Sequence, residues 1–435
     1  MGRILRNNFG TGLVIALALI PVLIWISAEP PSSRFLNSIL VFTSIGQVSG
    51  LAGMAFFALV LVLSTRAKFT DKIFYGLNRA YTTHHNFGAI AFSLLLIHPA
   101  ALVLKFLLIS VSAAFNFIIT SDWVLIAGEA ALLLMMFLLA LTFFVKLKYQ
   151  IWKFSHKFLG LVFVIASLHV FFIPSDISRS PVLMGYMSIL ILAGYWAILY
   201  RTVLPRFLVK KYDYAVDEIK QEPSNSVEVS MIPIGAKMEY MPGQFIFISF
   251  DDEAVGKEIH PFSITSAPAE EKLRITAKEL GDFTTRLKIL KKGTKVKIEG
   301  PFGKFSYLNF LPQHKQIWIA GGIGLAPFLS MARNLTFENN YEIDLYYCVN
   351  SRDELAFYDE LKEISEKSGK FKILPFCSNE SGRISGEFIN KASEGSIGKE
   401  IFICGPAAMM AALRSQFVGL GVKNYNIHTE EFKMR

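Results

Sequence analysis

The fold class this sequence predicts is a six-helix transmembrane bundle followed by an antiparallel β-barrel and an α/β nucleotide-binding domain. Three observations predict it. The 435 residues are 52% hydrophobic and only 18% charged, too apolar for an ordinary soluble domain, and the apolar excess lies in the first half. After about Lys211 the chain changes to alternating charged and β-branched residues, the pattern of short strands. From Gln316 onward strands and helices alternate, which indicates a parallel sheet. The domains read as 1–209, 210–312 and 313–435.

Six segments have the twenty or so apolar residues that a bilayer crossing needs: Gly10 to Ile26, Ile39 to Leu63, His84 to Ser110, Val124 to Val145, His156 to Ile173 and Val182 to Tyr200. An even number of spans puts both termini on one side. Arg3 and Arg6 precede the first span, and Arg66, Lys68, Lys72 and Arg79 lie between the second and third. Lys146, Lys148 and Lys153 lie between the fourth and fifth, and Arg201, Arg206, Lys210 and Lys211 follow the sixth. The opposite loops offer little beyond Arg34 and Arg179, so both termini and everything after the sixth span are expected in the cytoplasm, with the bundle in a plasma membrane of bacterial type. The start also looks like a signal peptide ending near Ser27 and Ala28. An uncleaved first helix is preferred, because removal would leave five spans.

The net charge of +9 is largely this topological signal, which excludes a nucleic-acid partner: that would need basic residues gathered on a soluble face with stacking aromatics. Cys348, Cys377 and Cys404 all fall in the soluble half, so no external disulfide framework is expected.

Inside the bundle, His84 and His98 share one apolar segment and His156 and His169 another. Spacings of fourteen and thirteen are close to whole turns, so each pair leaves one helix face about 20 Å apart along the axis. Ionisable side chains in hydrocarbon are expensive, whereas a haem iron in a dry interior needs axial nitrogen donors. The third and fifth spans run in the same direction. The pairs therefore match by level, His84 with His156 at an inner haem b and His98 with His169 at an outer one. His85 is a rival to His84. The fourteen-residue spacing favours His84, as does Gly88 one turn on, where a missing side chain admits a porphyrin.

In the soluble half, Ser226 to Met231, Gln244 to Phe250, Lys272 to Ala277 and Thr294 to Glu299 read as barrel strands. The α/β part reads as strands at Ile317 to Ala320, Ile343 to Val349, Lys372 to Phe376 and Ile401 to Cys404. Helices are read at Leu325 to Leu335, Glu354 to Ser368 and Ala407 to Val418. Gly321, Gly322, Gly324 and Pro327 follow a strand and open a helix, the context of a phosphate-binding loop. Arg352, just past the strand ending at Val349, offers a planar fork for the 2′-phosphate of NADPH, with Ser351 and Arg383 as helpers. NADH is the alternative.

The barrel holds His260-Pro261-Phe262-Ser263-Ile264-Thr265-Ser266, then Lys278, Gly281-Asp282-Phe283-Thr284 and Gly300-Pro301-Phe302-Gly303. With these runs the chain resembles the ferredoxin-reductase superfamily, and within it the membrane branch of NADPH oxidases and ferric reductases. The resemblance covers nearly the whole chain. It implies FAD on the barrel, with His260, Pro261, Phe262, Ser263 and Thr265 lining the flavin ring and the Ser263 hydroxyl close to its reactive nitrogen. It implies Lys278 and the Gly281 to Thr284 loop near the FAD pyrophosphate. Cys404-Gly405-Pro406 resembles the segment beside the nicotinamide, and Phe432 the terminal aromatic that covers the flavin. Lys433, Met434 and Arg435 follow Phe432 here, a departure from the family pattern.

The implied activity is NAD(P)H-dependent electron transfer through FAD and two haems to an extracytoplasmic acceptor, a ferric chelate or O2. Oxygen-reducing eukaryotic relatives carry another histidine one turn after the outer ligand of the third span, where Leu102 stands here. Two other readings keep the same architecture. One is an electron-transfer subunit serving a partner protein or quinone, and the other a membrane-anchored flavin reductase without haem.

Overall fold

The computed structural model describes residues 2–204, 209–312, 314–336 and 340–431. Two compact units divide the chain, 1–208 and 209–435.

The first unit has six helices long and apolar enough to cross a membrane: Asn8–Ala28, Ser38–Leu63, Leu77–Leu107, Trp123–Phe144, Gln150–Phe172 and Pro181–Thr202. The chain is an integral membrane protein. Caps set several starts. Asn37 accepts the Leu40 amide at 3.0 Å, Asp122 accepts that of Val124 at 2.8 Å, and Ser180 precedes Pro181 at the first helical position. The second span is the most enclosed and packs against the first, third and sixth.

Two helices begin earlier than their apolar runs. The third starts at Leu77 and the fifth at Gln150, because polar residues such as Asn78, Arg79 and Gln150 continue the helix past the hydrocarbon. His84 therefore sits about two turns inside its helix, and His156 in the last turn before a break in the fifth span. The fifth span is also not one continuous helix. It consists of Tyr149–Lys157 and Leu159–Phe172, joined at Phe158, whose amide bonds the Ser155 carbonyl three residues back at 3.0 Å and tightens the turn.

Arg34, between the first and second spans, is not an open basic residue. It is 7% exposed, its guanidinium lies 3.7 Å from the Trp25 ring centroid, and Nη1 meets Asp176 Oδ2 at 3.2 Å. Trp25 Nε1 donates to the same oxygen at 2.7 Å, tying the first span to the loop between the fifth and sixth.

The second unit opens with a six-stranded antiparallel sheet of β1 (Lys211–Glu222), β2 (Ser226–Pro233), β3 (Phe245–Phe250), β4 (His260–Ser263), β5 (Leu273–Lys278) and β6 (Lys295–Phe302). Its order is β4-β3-β6-β1-β2-β5, a curled half-barrel around Val229, Met231, Ile246, Ile275 and Ile298. The sequence reading lacked β1 and β4: few β1 residues point inward, and β4 is only four residues long.

A parallel sheet follows, of β7 (Gln316–Gly321), β8 (Ile343–Val349), β9 (Phe371–Cys377), β10 (Glu400–Cys404) and β11 (Ile427–Glu430), in the order β11-β10-β7-β8-β9. Apolar clusters cover both faces, one with Trp318, Phe328 and Phe402, the other with Ile319, Ile403 and Phe417. The order reverses between β7 and β10, so the crevice at their carboxyl ends is the topological switch point where such sheets bind ligands. Arg333, 6% exposed, ties the sheets together through Glu228 of β2 at 2.9 Å and Glu360 at 2.6 Å.

Candidate functional site

In the membrane unit the four singled-out histidines form two facing pairs. The ring centroids of His84 and His156 lie 6.3 Å apart with planes at 63°, and those of His98 and His169 lie 6.3 Å apart at 72°. A metal held by an imidazole nitrogen on each side at about 2.0 Å, with ring radii of about 1.1 Å, separates the centroids by about 6.2 Å. His85 faces elsewhere, its ring 6.3 Å from Phe143.

Three of the four rings are oriented through their other nitrogen. His84 Nδ1 bonds the Val60 carbonyl at 2.9 Å, His98 Nδ1 that of Gly46 at 2.7 Å, and His169 Nδ1 that of Val124 at 2.8 Å. A proton on Nδ1 leaves the Nε2 lone pair free to ligate, the arrangement that holds metal-binding histidines in place. His156 has no such acceptor; its ring stacks on Trp152 one turn earlier, centroids 5.3 Å apart.

Glycines make room for the outer pair. A Cβ at Gly50 would come within 2.7 Å of His98 Nδ1, and one at Gly128 within 2.8 Å of His169 Nδ1. A Cβ at Gly88 would meet only Val60 Cγ1, at 3.9 Å. The third span packs on the second and the fourth on the fifth, while the third and fifth have few backbone approaches of their own. Among the described residues no three His, Cys, Asp or Glu side chains gather as a metal site. Two nitrogen donors per level, facing across a gap, fit a metal that brings its own equatorial ligands, as a porphyrin iron does.

On the half-barrel, Ser263 is 4% exposed and its Oγ has no hydrogen-bond partner, an unmatched buried hydroxyl of the kind native structures rarely leave. His260 stacks on Phe283 at 3.9 Å, with Phe262 beyond it, and His260 Nε2 meets Glu258 Oε2 at 2.9 Å. Lys278 ends β5 opposite Ser226, and Pro261 lies beside Phe247 in the β3–β4 pairing. Two predicted contacts are differently employed. Thr265 is fully buried; its carbonyl accepts from Arg333 Nη1 at 2.9 Å, which places it in the joint between the sheets. In the Gly281 loop, Thr284 Oγ1 takes the amides of Leu280 and Gly281 at 3.0 and 3.2 Å, and Asp282 opens a five-residue helix.

At the switch point the two glycine segments meet backbone to backbone. A Cβ on Gly405 would lie 3.0 Å from Gly321 Cα, and one on Gly324 only 2.2 Å from the Cys404 carbonyl. Gly322 has φ +55, and Pro327 sits in the first turn of Ala326–Arg333. Pro406 precedes the helix Ala407–Gly419. Gly322, Ile323, Leu325 and Ala326 of the first loop border a crevice with Ser226 and Thr276 of the half-barrel.

Family models match three stretches of the chain: a ferric reductase like transmembrane component over residues 49–167, an FAD-binding domain over 212–306 and an oxidoreductase NAD-binding domain over 318–415. The chain has the domain architecture of the ferric reductase and NADPH oxidase family. The transmembrane match takes in His84, His98 and His156 and ends two residues before His169. Flavohemoprotein A of Dictyostelium discoideum is 28% identical over 239 residues, 51% of this chain and 60% of that protein. A glycine betaine monooxygenase reductase subunit of Pseudomonas aeruginosa is 26% identical over 207 residues, 44% of this chain and 56% of that one. The chain thus spans little more than half the length of these curated relatives. Among solved structures, a flavohemoglobin from Malassezia yamatoensis with bound FAD and heme covers 91% of this chain and 98% of its own at 19% identity and a TM-score of 0.51, a likeness of fold. A ferredoxin NADP+ reductase from Neisseria gonorrhoeae covers 52% and 99% at 19% identity with a TM-score of 0.45.

Other residues of the chain depart from their expected roles. Cys404 is fully buried in the core of the parallel sheet, and burial, with Glu430 nearby, pushes its thiol well up; it reaches no open surface as a catalytic group. Arg352 is not an open fork: its Nε and Nη2 donate to Glu380 at 2.9 and 3.2 Å. Ser351 serves the Asp353 carboxylate. Arg383 lines the same cleft as Arg352. Phe432 lies outside the described residues. Sequence reasoning missed Gly50, Gly128 and Trp152, which touch the histidines, and Glu129, a carboxylate inside the fourth span that intramembrane rarity alone would have flagged.

Proposed function

We propose that this chain is a transmembrane oxidoreductase that takes electrons from cytosolic NAD(P)H and delivers them across the membrane to a small acceptor, a ferric chelate or O2. The observation that carries this reading is the pair of 6.3 Å histidine couples, with three Nδ1 atoms bound to backbone carbonyls. A bundle serving only as an anchor has no need of four imidazoles oriented in this way.

When bound, FAD accepts the two electrons of a hydride and releases them singly, and two haems b accept one electron each. His84 with His156 would hold the inner haem and His98 with His169 the outer. Ser263 would donate its hydroxyl to the flavin ring, and Lys278 would offset the charge of the pyrophosphate. The loops at Gly321–Pro327 and Cys404–Pro406 would carry the nicotinamide nucleotide at the switch point. The lysines and arginines between the second and third and the fourth and fifth spans support a cytoplasmic reductase unit. With the inside negative, an electron moving outward is favoured by about 2.3 kcal/mol per 100 mV.

His98 and His169 would together hold the outer haem, which would supply single electrons to a small acceptor. Leu102, and the engagement of Arg34 with Asp176, weigh against a dedicated polar oxygen site. The test is the double change His98→Ala and His169→Ala in the full-length protein. Haem content should fall from two to one per chain, flavin reduction should persist, and external acceptor reduction should stop. Unchanged haem content would overturn the assignment.

A further inference from the structure

Of the four facing imidazoles, His156 is held differently from the rest. His84, His98 and His169 each bond a backbone carbonyl of another span through Nδ1, at 2.9, 2.7 and 2.8 Å. The Nδ1 of His156 is buried and meets no acceptor among the described residues. Its backbone is also interrupted. His156 belongs to the nine-residue helix Tyr149–Lys157, which ends at Phe158, where the amide turns back on the Ser155 and His156 carbonyls. What the ring does have is Trp152, one turn earlier on the same helix face, with centroids 5.3 Å apart and planes at 24°. Offset stacking at this separation is an attractive geometry for two aromatic rings.

A stacked neighbour fixes the plane of a ring without accepting its proton. Trp152 is thus placed to set the plane of His156, which stands at 63° to that of His84. The electronic effect is separate. An imidazole whose Nδ1 proton is bonded to a carbonyl is a more basic donor at Nε2 than one whose proton has no acceptor. Basic axial donors favour ferric over ferrous iron, and second-shell hydrogen bonds are among the protein's levers on haem potential. The outer pair has two such bonds and the inner pair one.

We propose that Trp152 is the positioning residue of the inner haem, fixing the His156 plane in place of a carbonyl, and that the missing Nδ1 bond leaves the inner site easier to reduce than the outer. This rests on the reading that the histidine pairs hold two haems. An electron would then rest on the inner side until the acceptor or the membrane potential draws it outward.

The positioning role is tested in full-length, cofactor-loaded protein with Trp152→Leu, which removes the stacked ring, and Trp152→Phe, which keeps one. The ferric low-spin EPR signal of a haem reads the angle between its two imidazole planes. In Trp152→Leu one haem signal should broaden or vanish while the other and the FAD content hold, and Trp152→Phe should restore it. Both signals unchanged in Trp152→Leu, or Trp152→Phe as impaired as Trp152→Leu, would overturn the proposal.

The order of the two sites is read by spectroelectrochemical titration of single-haem proteins. His98→Ala with His169→Ala leaves only the inner site, and His84→Ala with His156→Ala only the outer. The inner should titrate higher by about 59 mV, a tenfold difference in a one-electron equilibrium. An outer site that titrates at or above the inner would overturn the proposal. Natural protein that binds no haem would overturn the proposed function, and this assignment with it.

Discussion

The imidazole of His169 rests against the backbone of Gly128, where a Cβ would come within 2.8 Å of Nδ1. The fourth span thus supplies both the Val124 carbonyl that orients the ring and the gap that receives it. An added methyl would push the ring from its acceptor and from His98.

Gly128→Ala is therefore expected to lower haem content from two to about one per chain, read from the Soret band and a haem extraction assay, with flavin reduction intact. Elsewhere in a helix the same change stabilises by about 1 kcal/mol, so a loss here has the opposite sign to propensity and reports the packing of His169. Two haems retained in a well-expressed variant would count against the outer site.

Ser263→Ala separates a ligand contact from a structural one. Its Oγ is buried without a partner, so removing it should leave the thermal stability of flavin-free protein unchanged or slightly raised. In loaded protein a lost hydrogen bond of about 1–3 kcal/mol should slow flavin reduction roughly 5- to 160-fold with FAD still bound. Stopped-flow bleaching and FAD content together check this; a drop in flavin-free stability would mean the hydroxyl has a structural partner instead.

Gly324→Ala tests the switch-point crevice. A Cβ there would lie 2.2 Å from the backbone carbonyl of Cys404, an overlap that flexible side chains cannot relieve. NAD(P)H-driven flavin bleaching is expected to fall at least about tenfold while dithionite still reduces the bound cofactors. Equal bleaching rates would show that the two loops can part without loss.

These sites differ in how far the sequence displayed them. The histidine pairs were visible because ligand spacing follows helical phase, so one period carries both the helix and the face. Their supports were not. Gly128 and His169 stand on different spans, glycine is common in membrane helices, and nothing in a single sequence marks which one touches a ring. The same holds for Arg352, whose residue type promised an open fork while Glu380, on the loop after the next strand, closes it. Thr265 shared a motif with Ser263 yet lies in the joint beside Arg333, because β4 ends at Ser263 and Thr265 falls beyond the strand, while the Ser263 hydroxyl has no partner. The break at Phe158 was hidden because no proline stands at the joint and the apolar run of Leu159–Phe172 starts directly after it.

That joint beneath Thr265 gives a pH dependence. Arg333 and Glu228 are 6% and 7% exposed, and Arg333 also makes two bonds to Glu360 at 2.6 and 2.9 Å. Burial by itself would raise the Glu360 carboxyl, but the Arg333 hydrogen bonds and charge overcome it and hold it below its ordinary value. A carboxyl lowered in the folded state adds stability above its unfolded pKa of about 4.3 and loses it as the pH falls through the folded value. The reductase unit should therefore lose stability progressively below about pH 4. Arg333→Met should cost about 3 kcal/mol at neutral pH by leaving Glu228 buried without its closest cation. It should also flatten the acid dependence, because Glu360 returns toward its ordinary range. Denaturant titrations of the full-length protein at pH 7 and at about pH 3, followed by flavin release, read both effects. A variant as acid-sensitive as the natural chain would show that the pair does not carry the dependence.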